Sequence, residues 1–319
     1  MADADKMTTS NGRLPLNMGG PRMQTSDDRH LTGQAQVSIE LIVAKTGDLP
    51  PIPTVALKAL KMSEDPEVDI QELQATLTQD QALTAQILRI ANSSLYCLER
   101  EIATVSHAVA ILGLDTIRFT LSAACVQQVF NAGKNPSWPF GNKRLTDHSW
   151  GTALCGRAIA RKVGYAEEEE ALLAGLMHDI GKAVLLKNLP GQYIPIADDV
   201  HHGEITFYEA ELVVFGFSHA HVGATLAERW GFPPQLVEAI GFHHDPEAAS
   251  NQNHKQLAYI TALANKVTTF LGFGFEAAAT MALHELPAAK LLGLDLSAID
   301  AIVADTNAAL QQMPETLKS

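Results

Sequence analysis

The chemistry-bearing residues of this sequence are histidines set on stripes of small and apolar side chains. His148, Thr152, Cys155 and Ile159 stand at i, i+4, i+7 and i+11, one face of a helix. Ala171, Ala174, Gly175 and His178 share a second face, so a neighbouring helix can approach where that histidine points. Asp179 follows directly, and Gly181 is placed to loosen the helix end. His219, Gly223, Leu226 and Trp230 repeat the pattern; Leu236 and Ile240 lead to His243 and His244; Ala258, Thr261 and Ala262 lead to Asn265. One histidine on an apolar stripe is usually a hydrogen-bonded core residue. Several on successive helices, each needing a partner once buried, admit a second reading: imidazoles and one carboxylate gathered on a divalent transition metal. Spacing leaves both readings open.

The elements that must carry these residues are helices. Leu and Ala dominate, and β-branched residues rarely gather into alternating runs, which favours an all-α fold. Val55, Ala56, Ala59, Leu60 and Met62 form a stripe that stops at Ser63 to Pro66. Asp69 is placed to cap the next helix, with Glu72 completing a capping box. Leu83, Ile87 and Ile90 follow, closed by Asn92 and Ser93; Val105, Val109 and Leu112 end at Gly113; Asp115 opens a helix to Phe130. The stretch NAGKNPSWPFGN is the clearest internal boundary. Beyond it the pattern predicts helices at 143–163, 167–189, 204–215, 218–230, 233–244, 254–271, 275–285 and 296–312. The expected architecture is a two-part helical bundle. A disordered tail over 1–35 precedes an N-terminal helical subdomain over 36–135, a second helical subdomain over 141–285 and a C-terminal extension over 286–319. The last helix has two open readings, packing back on the bundle or forming a homodimer.

Composition narrows the function. Acidic residues outnumber basic ones 36 to 23, for a formal net charge of -13, a field that repels phosphate backbones and argues against general nucleic-acid binding. Cys97, Cys125 and Cys155 are far apart and form no CxxC, as expected of buried thiols in a reducing compartment. No apolar run approaches the roughly 18 residues that span a bilayer, and no apolar segment opens the chain, so the expectation is a soluble, cytoplasmic protein. There is no Gly-rich phosphate loop.

Longer strings then carry a family resemblance. LAGLMHDIGKAVL resembles the His-Asp signature of HD-type phosphohydrolases, and its HDIGK is similar to the HD-GYP branch. FGFSHAHVGATLAERWGFPPQLVEAIGFHHDP resembles the signature of the HD-related output domain (HDOD) family, and LPPIPTVALKAL with LTQDQALTAQILRIANSSLY is similar to that family's N-terminal region. The resemblance covers about 36 to 285. It implies that His148 is a first metal ligand, His178 and Asp179 the HD pair, and His219 with one or both of His243 and His244 the rest of the set. Lys182 would hold phosphate if the protein were an enzyme, with Asp179 at the metals; an ordinary helix-end cation is the other reading of Lys182. Glu211 matches an acidic position common before the HDOD motif, suited to orienting a ligand imidazole or to being a surface glutamate.

The chain departs from the hydrolase pattern in three places. Asn265, expected to stand behind the ligands, takes the place where the HD pattern closes on an Asp; no Gly-Tyr-Pro element follows His244, and Arg144 stands where a trinuclear site has Glu. Fewer anionic ligands leave charge enough for a single metal, iron, manganese, zinc or nickel. The resemblance therefore implies a bacterial regulatory module working with other signalling proteins, with a nucleotide or cyclic-dinucleotide ligand as a further option. The alternative is a metal-dependent phosphohydrolase acting on a nucleotide or cyclic dinucleotide. His107, His201, His202 and the run Glu167 to Glu170 read as solvated, and His221 as facing away from His219.

Overall fold

The computed structural model describes residues 54–313, apart from 64, 66, 94, 97, 99, 204 and 276–281, together with 38, 39 and 42. Expectations for the tail over 1–35, for Cys97 and for most of 275–285 lie outside the described residues. Those described from 38 onward belong to one compact unit. Among the described residues there is no strand, and no helix is long and apolar enough to cross a membrane.

The front of the bundle is built by α1 (Thr54–Ser63), α2 (Ile70–Leu77), α3 (Gln81–Ala91), α4 (Val105–Leu112) and α5 (Leu114–Ala132). Side-chain caps open α2, α3 and α4 at Asp69, Asp80 and Thr104, while α5 starts at Gly113 without one. Asp69 accepts from the backbone N–H of Gln71 and Glu72, although Glu72 does not return the bond, so the capping box is only half formed. Asn92 closes α3 and also fastens the following loop, accepting from Ile102 N at 2.7 Å and donating to Ile102 O at 2.8 Å. Helix α5 is buried on nearly every side because it lies between the front helices α1 and α3 and the rear of the bundle. Its Cys125 and, behind it, Cys155 are free buried thiols whose pKa burial pushes up to about 12.

The rear comprises α6 (Asn142–Val163), α7 (Glu168–Met177), α8 (Ile180–Asn188), α9 (Pro190–His201), α10 (Phe207–Phe215), α11 (His219–Arg229), α12 (Pro234–Gly241), α13 (Gln252–Thr268), α14 (Pro287–Leu291) and α15 (Leu296–Gln312). The long α6 packs against α7, α13 and α15. The last helix thus folds back on the bundle, burying Ile299, Ile302, Thr306 and Leu310.

Several expectations are corrected. The single helix expected over 167–189 is two, α7 and α8, with His178 and Asp179 at the break. Residues 190–201, which lie between the helices expected at 167–189 and 204–215, form α9: Pro190 sits in its first turn, where a missing N–H costs nothing, and Pro195 is tolerated inside. Helix α12 ends at Gly241, so His243 and His244 follow the helix instead of riding on it. Helix α13 gives way after Thr268 to one wide turn, Thr269–Phe273, in which Gly272 has φ 88. The described end of 275–285 is a single 3-10 turn, Leu283–Glu285.

Small residues let the rear helices meet backbone to backbone. A Cβ on Gly175 would stand 2.5 Å from the Thr152 carbonyl oxygen, so α6 and α7 touch just below His148 and His178. Gly181 lies in the first turn of α8, and its role is close approach, since its face is closed by the His219 backbone of α11.

Candidate metal centre

The break between α7 and α8 is what makes the site. Asp179 occupies an N-cap position, where a carboxylate normally takes helix N–H groups, yet its side chain caps nothing. Both oxygens point into a pocket walled by α6, α8, α10, α11 and the turn after α12. Oδ2 accepts from the Lys182 ammonium at 2.7 Å and lies 3.4 Å from His148 Nε2 and 3.5 Å from His178 Nε2. Oδ1 lies 3.1 Å from His219 Nε2. His148, His178, Asp179, His219 and His243 are buried and His244 is largely so.

The imidazoles are aimed by their other ring nitrogens. His178 Nδ1 donates to Gly175 O at 2.7 Å and His243 Nδ1 donates to Ile240 O at 2.7 Å. The device is the same in both: a ring N–H satisfies a last-turn carbonyl three residues back, which leaves Nε2 facing the pocket. His219 Nδ1 donates to Glu211 Oε2 at 2.7 Å, while the same oxygen accepts from His219 N at 2.5 Å, a free N–H of the first turn of α11. Glu211 Oε1 accepts from the Tyr193 hydroxyl at 2.6 Å. Glu211 is fully buried and orients His219, as a carboxylate behind a ligand imidazole does.

The pocket brings together two triads of ligand atoms, each within 4.8 Å of one another: His148, His178 and Asp179, and His219, His243 and His244. Three of their polar atoms are buried without a hydrogen-bond partner: Asp179 Oδ1, His243 Nε2 and His148 Nδ1. Orphaned lone pairs of this kind are costly unless something positive meets them, and the first two face into the pocket. The donor set of imidazoles with one carboxylate suits a divalent transition metal, so the residues present fit such an ion.

Burial governs the electrostatics. It pushes the His148, His243 and His244 pKa values well below the ordinary histidine value and lowers that of His178. Neutral imidazoles are the form a metal takes. For His219 burial acts in the same direction, but the Glu211 carboxylate outweighs it and raises the pKa. Burial also disfavours the Asp179 carboxylate, yet His178, Lys182 and His219 hold its pKa well below the carboxylate range. Of these neighbours Lys182 makes the shortest contact, its ammonium donating to Oδ2 at 2.7 Å.

The remaining residues named from sequence fall outside the pocket. Asn265 is half-buried on α13 and makes no side-chain hydrogen bond to the cluster among the described residues. Arg144 turns away, donating from Nε to Gly274 O at 2.8 Å. His221 folds back on Ser218, accepting from its backbone N–H at 3.0 Å. His107, His201 and His202 are exposed.

Sequence reading missed an aromatic roof. Trp138 stacks on Tyr193 with centroids 5.7 Å apart at 5°, and Phe207 and Phe275 complete the group. Lys182 Nζ lies 4.9 Å from the centroids of both Phe207 and Phe275. The signals were present but local: Trp138 lies in the Pro-rich boundary and Tyr193 between the two prolines of α9, both outside the expected helices.

An all-helical bundle with a His-Asp pair at a helix break, and further imidazoles closing on it, defines an HD-like domain. The HDOD domain family model matches residues 49–246, well over half of the chain, and the chain belongs to that family. Family and fold together make it an HD-like signalling module. An HDOD domain protein of unknown function from Geobacter sulfurreducens superposes with a TM-score of 0.71 at 28% identity, covering 86% of this chain and 96% of that one. A candidate phosphohydrolase from Shewanella amazonensis shares the fold with a TM-score of 0.68 at 24% identity, covering 86% and 97%. An uncharacterized protein of Treponema pallidum is 25% identical over 231 residues, 72% of this chain and 44% of that protein. The chain thus spans less than half the length of that curated relative.

Proposed function

We propose that this chain is a regulatory HDOD module whose pocket holds one divalent transition metal, iron, manganese, zinc or nickel, and does not hydrolyse phosphoesters. The observation that carries the reading is the Asp179 carboxylate. One oxygen is already neutralised by Lys182 and the other is buried without a hydrogen bond beside the His219 lone pair. Such a centre has negative charge for one further cation and little for two. Asn265 and Arg144 add no anionic ligand. A bound ion would supply Lewis acidity; the chain itself supplies imidazoles fixed by Gly175 O, Ile240 O and Glu211.

The His-Asp pair supports a second reading, a phosphohydrolase acting on a nucleotide or cyclic dinucleotide, in which Lys182 holds phosphate. Against it, Lys182 is 6% exposed and committed to Asp179 between two phenyl rings. Elemental analysis of purified protein, with a nucleotide turnover panel, separates the two. About one metal per chain without turnover supports the module, two or more with turnover that Asp179→Asn abolishes supports the enzyme, and no metal at all removes both. In the regulatory reading the partners are other signalling proteins. Val213, 80% exposed, and Val214, 53% exposed, offer apolar contact on the same helix as Glu211.

A further inference from the structure

We infer that Lys182 is the resident cation of one half of this pocket and that the metal belongs to the other half, against His219, His243 and His244. The inference rests on the metal-pocket reading above and adds where the ion sits and what decides it.

Following the protons makes the two halves unequal. In the first half, His178 spends its Nδ1–H on Gly175 O, so its Nε2 carries a lone pair. His148 Nε2, 3.2 Å away, donates to that lone pair. Asp179 Oδ2 accepts from Lys182 at 2.7 Å, and the phenyl faces of Phe207 and Phe275 hold the ammonium in place. Every atom of this half that faces the pocket is satisfied by protein. A divalent ion there would have to share Oδ2 with the Lys182 ammonium.

In the second half the protons run out. His219 donates Nδ1–H to Glu211 and His243 donates Nδ1–H to Ile240 O, so both Nε2 atoms present lone pairs. His219 Nε2 accepts from His244 Nε2 at 3.1 Å and so has no proton for Asp179 Oδ1, also 3.1 Å away; Asp179 Oδ1 and His243 Nε2 are both buried without a partner. A proton on His219 Nε2 would reconcile His219 with Asp179 and leave His243 bare. A metal ion answers both at once, with the Nε2 atoms of His219 and His244 as further ligands once the His244 proton moves to Nδ1. The lysine settles which half is filled.

The test uses the full chain stripped of metal and titrated with cobalt(II) alone, followed by calorimetry and by the visible absorption of the bound ion. Wild type is expected to take one cobalt, His148→Gln to keep it with little change, and His243→Gln to weaken it about tenfold or more. Lys182→Met, which removes the resident charge and keeps the packing, is expected to admit a second cobalt. Loss of cobalt in His148→Gln with retention in His243→Gln overturns the placement, as does Lys182→Met remaining at one ion. Should a variant not fold by circular dichroism, anomalous scattering from cobalt-soaked wild-type crystals decides: a peak within bonding distance of His243 Nε2 supports the placement, and one at His148 Nε2 overturns it. No cobalt bound by wild type at all removes the metal reading itself, a result distinct from cobalt bound in the wrong half.

Discussion

Gly181 and His219 meet backbone to backbone: a Cβ on Gly181 would stand 2.0 Å from the His219 carbonyl oxygen. That approach seats α11 against α8 and so brings the His219 ring to Asp179. Gly181→Ala is therefore expected to cost about 1–3 kcal/mol by overpacking and to weaken metal binding. Gly191→Ala, at a helical position with open space around it, is expected to gain about 0.4–1 kcal/mol and leave metal binding alone. Urea unfolding and a metal titration of both variants check this; equal behaviour of the two would remove the argument from close packing.

Glu211 accepts three hydrogen bonds inside a fully buried site, from Tyr193 and twice from His219. Glu211→Gln places an amide N–H₂ against donors, so about 1–3 kcal/mol of stability is expected to go. Metal affinity should fall by about 10–100-fold because His219 loses its orientation. Tyr193→Phe leaves the His219 bonds in place and is expected to cost about 1 kcal/mol with affinity nearly kept. If the two variants lose affinity alike, Glu211 acts through packing and not through His219.

Glu238, on α12, accepts from Ser250 N at 2.7 Å and lies 3.1 Å from His254 Nδ1, tying α12 to the start of α13 across the turn that bears His243 and His244. Burial acts to raise its pKa, but the Ser250 and His254 contacts outweigh this and lower it below 4.5. The unfolded chain then binds more protons in that range, so this contribution is complete above about pH 4.5 and is lost as pH falls through the lower folded value. Stability measured between pH 7 and pH 3 should drop less steeply in Glu238→Gln than in wild type. Parallel acid limbs would show that the carboxylate carries no such linkage.

An ion that binds only the folded pocket must raise the unfolding temperature. At a free metal concentration 100 times Kd the expected gain is about 2.7 kcal/mol, removed by a chelator. Scanning calorimetry of stripped protein with and without added zinc or manganese reads this directly. Asp179→Ala should show a smaller gain or none; an undiminished gain would mean that the ion binds elsewhere.

The sequence by itself determined the helices and the cast of the pocket. Apolar periodicity, caps such as Asp69 and stop residues such as Asn92 are local, and local geometry alone sets which residues share a helix face. So the stripes that carry His148, His178, His219 and His243 could be read without knowing where the helices lie. Only the tertiary structure decided that the helix expected over 167–189 breaks at Asp179, which frees both carboxylate oxygens for the pocket. It also decided that Gly181 serves contact with His219, and that Lys182 is held between Phe207 and Phe275 instead of facing solvent. Those outcomes depend on which distant donors, acceptors and rings meet a side chain after packing, and no periodicity along the chain encodes the direction of a hydrogen bond between helices.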